Sequence, residues 1–406
     1  MSAKANNRKK IPMDWIILPT LLPLLKTRKT KKINFATKHL KMELVKFPRT
    51  GQYADFTKEL RKSVNAYFKE NSISKYANTR MKVKTVAMVS LYIVPYVLML
   101  TGVLPGTWGV FVAYILMALG MSGVGLSIMH DANHGSYSKK KWVNTLLGNL
   151  INMAGGSAIN WRLQHNVLHH SFTNVYGLDQ DLNPGKLMRF TPRTEKLKAH
   201  NYQHLYAWFL YSLMTIYWVV GKDFKDLALY REMGILKQEA TYKEAIARIF
   251  LTKTLYIFFM IVLPIMVLSV PIWVILTAFM VKHFIAGLIL SLVFQPAHVI
   301  EETAFPEPNP EHKMEDIMAV HQLKTTSNFG NGSKLLTWLV GGLNFQIEHH
   351  LFPNICHVHY PAISKIVKET ANKYGLPYYH QPTFAAAIAD HARMLKKLGR
   401  QEYIAA

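Results

Sequence analysis

Along this 406-residue chain, long uncharged apolar runs alternate with polar segments dense in lysine and arginine. The clearest runs are residues 85–104, 107–129, 254–270 and 271–297, the last two separated by Pro271. A bilayer core of about 30 Å takes roughly 20 apolar residues, so each run predicts a transmembrane helix. Two further apolar stretches read differently. Residues 142–159 carry Asn144, Asn149 and Asn152 among several glycines, and residues 203–221 carry Tyr206, Trp208, Tyr211, Tyr217 and Trp218. Such aromatic residues favour the membrane–water interface, so these stretches are expected to be interfacial or re-entrant, the alternative being that one of them spans. The pattern predicts an all-α integral membrane fold of four transmembrane helices under a helical cap.

Three histidine clusters interrupt the hydrophobic background: His130-Asp131-Ala132-Asn133-His134, His165-Asn166-Val167-Leu168-His169-His170 and Gln346-Ile347-Glu348-His349-His350. Residues four apart share a helix face, so His130 with His134, His165 with His169, and Gln346 with His350 can each aim two side chains at one point. A structural zinc needs only about four ligands, and imidazole suits iron, zinc and copper. Seven clustered histidines exceed that need and argue for two metals. No thiolate accompanies them, which argues against a zinc finger or an iron–sulfur cluster and makes iron the leading candidate, with zinc still open. His130 directly follows the second apolar run and the third cluster lies beyond the fourth. Ligands outside the hydrocarbon zone speak for catalysis at the interface, whereas a metal transporter or sensor would place them near the midplane. The second and third clusters meet at one site only if an even number of spans separates them, and the runs 254–270 and 271–297 supply two.

The charge balance adds orientation. Lysine and arginine number 48 against 24 acidic residues, a net +24, and they crowd the segment before residue 85, as in Lys26-Thr27-Arg28-Lys29-Thr30-Lys31-Lys32 and Arg80-Met81-Lys82-Val83-Lys84. Beside membrane spans this excess reads as topogenic rather than as a nucleic-acid surface, and the positive-inside rule puts the amino-terminal side in the cytoplasm. Four spans then return the carboxyl terminus and all three clusters to the same side, with short external loops near Leu104–Thr107 and around Val270. The single cysteine, Cys356, excludes an intrachain disulfide and suits a reducing, cytosol-facing site. Residues 11–25 are apolar, but Pro12, Pro19 and Pro23 interrupt them and no small-residue cleavage site follows, so no signal peptide is expected. Met42 is a second plausible start.

From about Lys46 to Tyr379 the chain resembles the membrane fatty acid desaturases, which are defined by three histidine boxes. The resemblance is carried by the three clusters in order, Trp161 before the second, Gly177-Leu178-Asp179-Gln180-Asp181 after it, Thr325-Thr326-Ser327-Asn328-Phe329, and the run Gly341-Gly342 through Gln346-Ile347-Glu348-His349-His350-Leu351-Phe352-Pro353. It implies a cytosolic diiron centre held by His130, His134, His165, His169, His170, His349 and His350, with His298, in Phe294-Gln295-Pro296-Ala297-His298, as an additional ligand. Asp131, Asp179, Asp181 and Glu348 are expected to orient ligating imidazoles. Gln346, four before His350, can ligate weakly or hold a bound water. His321 is expected to be structural, and His357 and His359 to lie behind the ligands or on the surface.

Glutamine at the head of the third box is similar to the front-end subgroup, which places a new double bond between an existing one and the carboxyl end. That implies oxygen-dependent desaturation at Δ6, or Δ5, of an unsaturated C18 acyl chain, resembling bacterial linoleoyl-CoA or Δ6 desaturases. The haem motif His-Pro-Gly-Gly of fused cytochrome b5 domains does not occur in the sequence, so two electrons per turnover are expected from an external ferredoxin or cytochrome b5. The nearest rival is a hydroxylase of a lipid, alkane or sphingoid substrate on the same scaffold. In this reading residues 1–45 are a basic, disordered or membrane-surface segment, 46–380 the desaturase domain and 381–406 a cytosolic helix or tail, in a bacterial inner membrane.

Overall fold

The computed structural model describes residues 45–402. Residues 1–44 of the expected basic segment, Met42 among them, and residues 403–406 lie outside the described residues. Val45 is buried, packed with Phe172, Val175, Leu178 and Met314.

Four helices among the described residues are long and apolar enough to cross a membrane: Thr79–Leu100, Gly106–Asn133, Tyr242–Val267 and Ile272–Ala297. They cover the four predicted runs but shift at the ends, because hydropathy marks the apolar stretch whereas caps and turns mark the helix. The first begins where the Asn78 side chain accepts from the Met81 amide at 3.2 Å, and it ends before Gly102, which adopts φ +78°. The third starts twelve residues ahead of its apolar run, at a capping box in which Thr241 and Glu244 bond each other's backbone N–H. That extra length projects from the bundle and packs Ala245 and Ile249 against Leu227 and Tyr230 of helix Asp223–Glu232. Pro271 stands at the start of the fourth span, where its missing N–H costs nothing.

The first two spans touch closely: a Cβ on Gly120 would lie 2.5 Å from the Tyr92 backbone nitrogen. Their outward faces stay apolar and exposed, as at Val94, Val97, Phe259 of the third span and Trp273 of the fourth, as a lipid-facing surface requires. Short turns join the first span to the second and the third to the fourth, so all three histidine clusters lie at the opposite end of the bundle.

Neither extra apolar stretch forms a spanning helix. Residues 142–159 fold into helix Lys141–Gly148, with Trp142 and Leu146 exposed, and a 3-10 turn Asn149–Ala154. Residues 203–221 break at Leu213 into helix Gln203–Ser212, helix Met214–Tyr217 and a π turn Trp218–Lys222. Lys253 of the third span ties both stretches down, pairing with Asp223 at 2.7 Å and donating to the carbonyls of Gly155 and Trp218 at 2.9 and 2.5 Å.

The cap over the site is helical as well. Phe56, Leu60 and Val64, one face of helix Ala54–Glu70, pack on Ile363 and Val367 of helix Tyr360–Lys373. The two strands among the described residues, Ser327–Phe329 and Tyr379–Gln381, pair in parallel. The expected boundary at 380/381 therefore falls inside a strand. Helix Phe384–Arg400 is likewise part of the body: Met394, Leu395 and Leu398 pack with Ala207 and Val299, and His391 bonds the Tyr211 hydroxyl at 2.6 Å.

Candidate metal centre

Each histidine cluster reaches the site by a different local device. Box one closes the second span: a π segment, Val124–Met129, precedes His130, and the His134 amide donates to the His130 carbonyl at 3.1 Å, which sets the two rings on one face. Box two was expected on an ordinary helix face, but it is a π helix, Arg162–His169. The i→i+5 bond from the His170 N–H to the His165 carbonyl, 3.0 Å, widens the turn. His165 therefore faces both neighbours, stacked on His169 with centroids 5.2 Å apart and bringing its Nε2 to 3.3 Å from that of His170. Box three is the short helix Gln346–Leu351, in which the adjacent His349 and His350 diverge by about 100° and serve different pockets. Gly341, at φ +66°, lets the turn before box three sit on the π segment that leads into box one, since a Cβ there would meet the Leu126 carbonyl oxygen at 2.3 Å. His298 follows the 3-10 turn that ends the fourth span at Pro296.

Together these place eight imidazoles in two adjoining pockets. His130, His134, His165 and His349 form the first, and His169, His298 and His350 the second, with ligand atoms in each group within 4.8 Å of one another. His170 lies between them, its Nε2 2.9 Å from that of His349 and its ring stacked on His350 at 4.4 Å. Nitrogens bound at right angles on one metal, each about 2.1 Å from it, would stand roughly 3 Å apart. The 3.2 Å between the Nε2 atoms of His130 and His165 has that spacing.

Five of the outward nitrogens are held. Nδ1–H of His165 donates to Asp181 at 3.2 Å, that of His169 to Asp179 at 3.0 Å, and that of His298 to the Thr325 carbonyl at 3.2 Å. His350 Nδ1–H donates to Gln322 Oε1 at 2.8 Å, and His349 Nδ1 pairs with the Tyr360 hydroxyl at 3.2 Å. These bonds fix the tautomer that leaves Nε2 bare. The Nε2 atoms of His134, His169, His298 and His350 are buried without a hydrogen-bond partner, as is Oε1 of Gln346. Buried polar atoms are ordinarily paired, so this concentration of inward, unpaired acceptors fits metal ions well.

Burial, reinforced by neighbouring imidazoles, holds His134, His170, His298, His349 and His350 far below the ordinary histidine pKa. His165 is lowered too, by burial that Asp181 only partly offsets. At His169 burial also lowers the pKa, but Asp179 and Asp181 outweigh it and raise the net value. Metals take the neutral imidazole, the form that the other rings are obliged to adopt.

Two expected supporting carboxylates are placed elsewhere. Asp131 points away from the pockets and accepts from His357 Nδ1–H at 2.8 Å, the His357 amide at 3.2 Å and the Cys356 thiol at 3.0 Å. Glu348, on the far side of its short helix, accepts from Asn328 and the Tyr378 hydroxyl, each at 2.9 Å, and burial raises its pKa to about 7. An adjacent position on a helix turns a side chain away from its ligating neighbour, which is why neither reaches an imidazole of the three boxes. His321 donates to the Thr173 carbonyl at 2.9 Å, while His357 and His359 are buried behind the site rather than on the surface.

The model of the fatty acid desaturase family matches residues 105–382. The chain belongs to that family. It is 35% identical over 349 residues to an sn-1 linoleoyl-lipid 6-desaturase of Arthrospira platensis, an alignment covering 86% of this chain and 94% of the relative. Against a protein of the same name from Synechocystis it is 32% identical over 365 residues, 89% and 99% of the two chains. An acyl-lipid (8-3)-desaturase of Physcomitrium patens is 35% identical over 362 residues, covering 87% of this chain and 75% of that one. The protein is thus an oxidoreductase of lipid metabolism, and with its four apolar helices it is a membrane protein.

Sequence reasoning passed over several groups that hold this desaturase's site. Gln322 bonds His350 and also donates to the His170 carbonyl at 2.8 Å, and Tyr360 backs His349. Neutral side chains this far from the boxes carry no spacing signal. Trp161, noted only as a resemblance, packs its ring 4.5 Å from that of His165 and 5.5 Å from that of His130.

Proposed function

We propose that this desaturase adds a cis double bond on the carboxyl side of an existing one, at position 6 of an eighteen-carbon acyl chain, with position 5 next in order, and that the chain is esterified in a lipid. Gln346 at the head of the third box carries the reading. Its buried Oε1 has no hydrogen-bond partner, and in this reading it would offer one metal an oxygen donor where a further imidazole would otherwise stand. The names of the Arthrospira and Synechocystis relatives, both linoleoyl-lipid 6-desaturases, support the position and the lipid-bound substrate.

The eight histidines, His130, His134, His165, His169, His170, His298, His349 and His350, would hold two irons. Bound there, the pair would supply the oxygen-dependent oxidation that removes two hydrogens from an unactivated methylene pair, which no side chain achieves by acid–base chemistry. The residues around it supply position. Asp179, Asp181, Gln322, Tyr360 and the Thr325 carbonyl lock five rings by their outer nitrogens. Burial of seven of the eight rings keeps bulk water from the reacting carbon. Dioxygen takes four electrons to become water, two from the acyl chain and two from an external ferredoxin or cytochrome b5, which the lysine- and arginine-rich cytoplasmic face would attract.

In this reading residues 46–380 carry the desaturase chemistry, with strand Tyr379–Gln381 and helix Phe384–Arg400 completing the same body, and both termini and the site face the cytoplasm of a bacterial inner membrane. Gas chromatography of lipids from a host expressing the chain and fed linoleate tests the reaction. The expected product is the trienoic acid with its new bond at position 6. A new bond on the methyl side of the existing one, or only at position 9 of saturated chains, would refute the front-end assignment.

A further inference from the structure

Just ahead of box two stands a polar residue that the ligand set does not use. Gln164 precedes His165, and its side-chain Nε2–H donates to Asp181 Oδ1 while its Oε1 accepts from the Lys222 ammonium. Asp181 in turn accepts from His165 Nδ1–H at 3.2 Å through its other oxygen, and Lys222 also meets Asp226 at 2.5 Å. An unbroken chain thus runs from a proposed iron ligand to a lysine that closes the π turn of the aromatic stretch 203–221. Its members are largely withdrawn from solvent, the side chains of Asp181, Lys222 and Asp226 being 13%, 19% and 14% exposed.

We propose that Lys222 and Gln164 are positioning residues that act through Asp181 to set the orientation and basicity of His165. The assignment rests on reading the eight histidines as iron ligands. A primary amide has a donor end and an acceptor end, and only one orientation serves Asp181. The ammonium at Oε1 enforces that orientation; without it the amide is free to turn its carbonyl toward the carboxylate, which repels it. The same two groups draw negative charge away from Asp181 and so restrain its pull on the His165 proton. Removing them makes Asp181 the stronger acceptor and His165 the more electron-rich ligand, which favours the oxidised metal. Asp223, the neighbouring acid, is engaged with Lys253 and does not replace either partner.

The test uses the full-length protein, purified in detergent and loaded with iron, as wild type and as Lys222→Met, Lys222→Arg, Gln164→Leu and the Lys222→Met/Gln164→Leu double variant. Iron per chain, the reduction midpoint, kcat, KM and the thermal unfolding midpoint are measured for each. Lys222→Met and Gln164→Leu are expected to keep their iron and KM, to lower kcat, and to move the reduction midpoint to more negative values. Lys222→Arg should restore both, and the double variant should shift no further than either single, because the two residues form one chain. Unchanged midpoints in the single variants, or a lowered unfolding temperature as their only effect, overturn the proposal. Wild type that binds no iron overturns the metal reading itself, a result that needs no variant.

Discussion

The histidine pockets and the trio Asp131, Cys356 and His357 both gather buried, metal-ligating side chains with donor atoms within 4.8 Å of one another. In the pockets five of the eight outer nitrogens are tied down and four inner Nε2 atoms have no partner. In the trio the donors spend themselves on one another. Asp131 accepts from the Cys356 thiol and from both the ring and the amide of His357, and the remaining His357 nitrogen meets the Lys84 ammonium at 3.1 Å. Burial, together with Asp131, pushes the Cys356 thiol well above its ordinary pKa, so it stays protonated and is a poor ligand. Proximity of the right residue types therefore does not mark a metal site. Unsatisfied atoms aimed inward, with their opposite ends already held, do.

The comparison is broken most directly by removing a ligand. His165→Ala and His350→Ala, one from each pocket, should each lower product formation by more than about a hundredfold and reduce bound iron, as read by gas chromatography and metal analysis. Either variant with wild-type iron and activity would return the pockets to the same class as the trio. Gln346→Ala should lose most of its activity, whereas Gln346→His, which replaces one donor with another, should keep part of it.

A smaller effect separates the supporting acids. Asp179→Asn should weaken iron binding roughly 10- to 100-fold in a chelator competition, because it loosens the His169 ring. Asp131→Asn should leave that affinity nearly unchanged and instead lower the unfolding midpoint, at a cost of about 1–3 kcal/mol for the disturbed buried bonds.

His391 serves as a histidine whose two nitrogens are both occupied, by the Tyr211 hydroxyl and the Val299 carbonyl. Burial, slightly opposed by that carbonyl, pushes its pKa down to about 4. The folded state thus keeps it neutral while the unfolded chain protonates it near pH 6.5. Its contribution is complete above pH 6.5 and lost as pH falls toward 4, up to about 3 kcal/mol. Unfolding midpoints followed across that window should slope downward with acid, and His391→Gln should lessen the slope by the share of this one ring, the other buried histidines supplying the rest. Cys356→Ser should be the mildest change, within about 1 kcal/mol, with iron content intact.

Four spans and the seven clustered histidines could be read from the chain because each is a local signal, whereas His298, which stands alone in the sequence, was expected only from the family resemblance. An apolar run of bilayer length reports a span, and repeated histidines at helical spacing report convergent ligands. Asp179 and Asp181 were legible for the same reason, lying close after box two. Less legible were matters of direction. Asp131 and Glu348 sit beside ligands in sequence yet face other partners, and the π turn of box two, which lets His165 meet both His169 and His170, leaves no trace in residue spacing.

By itself the sequence determined the membrane class, the number of spans, the residue types of the centre and the family they resemble. The tertiary structure decided how the histidines divide between two pockets, which nitrogens Gln322, Tyr360 and the Thr325 carbonyl hold, and that Asp131 serves His357 rather than His130. The physical reason is range: helix periodicity and hydropathy act over a few turns, whereas contacts such as His170 with His349, 179 positions apart, and Asp131 with His357, 226 apart, arise only where the packed chain brings the residues together.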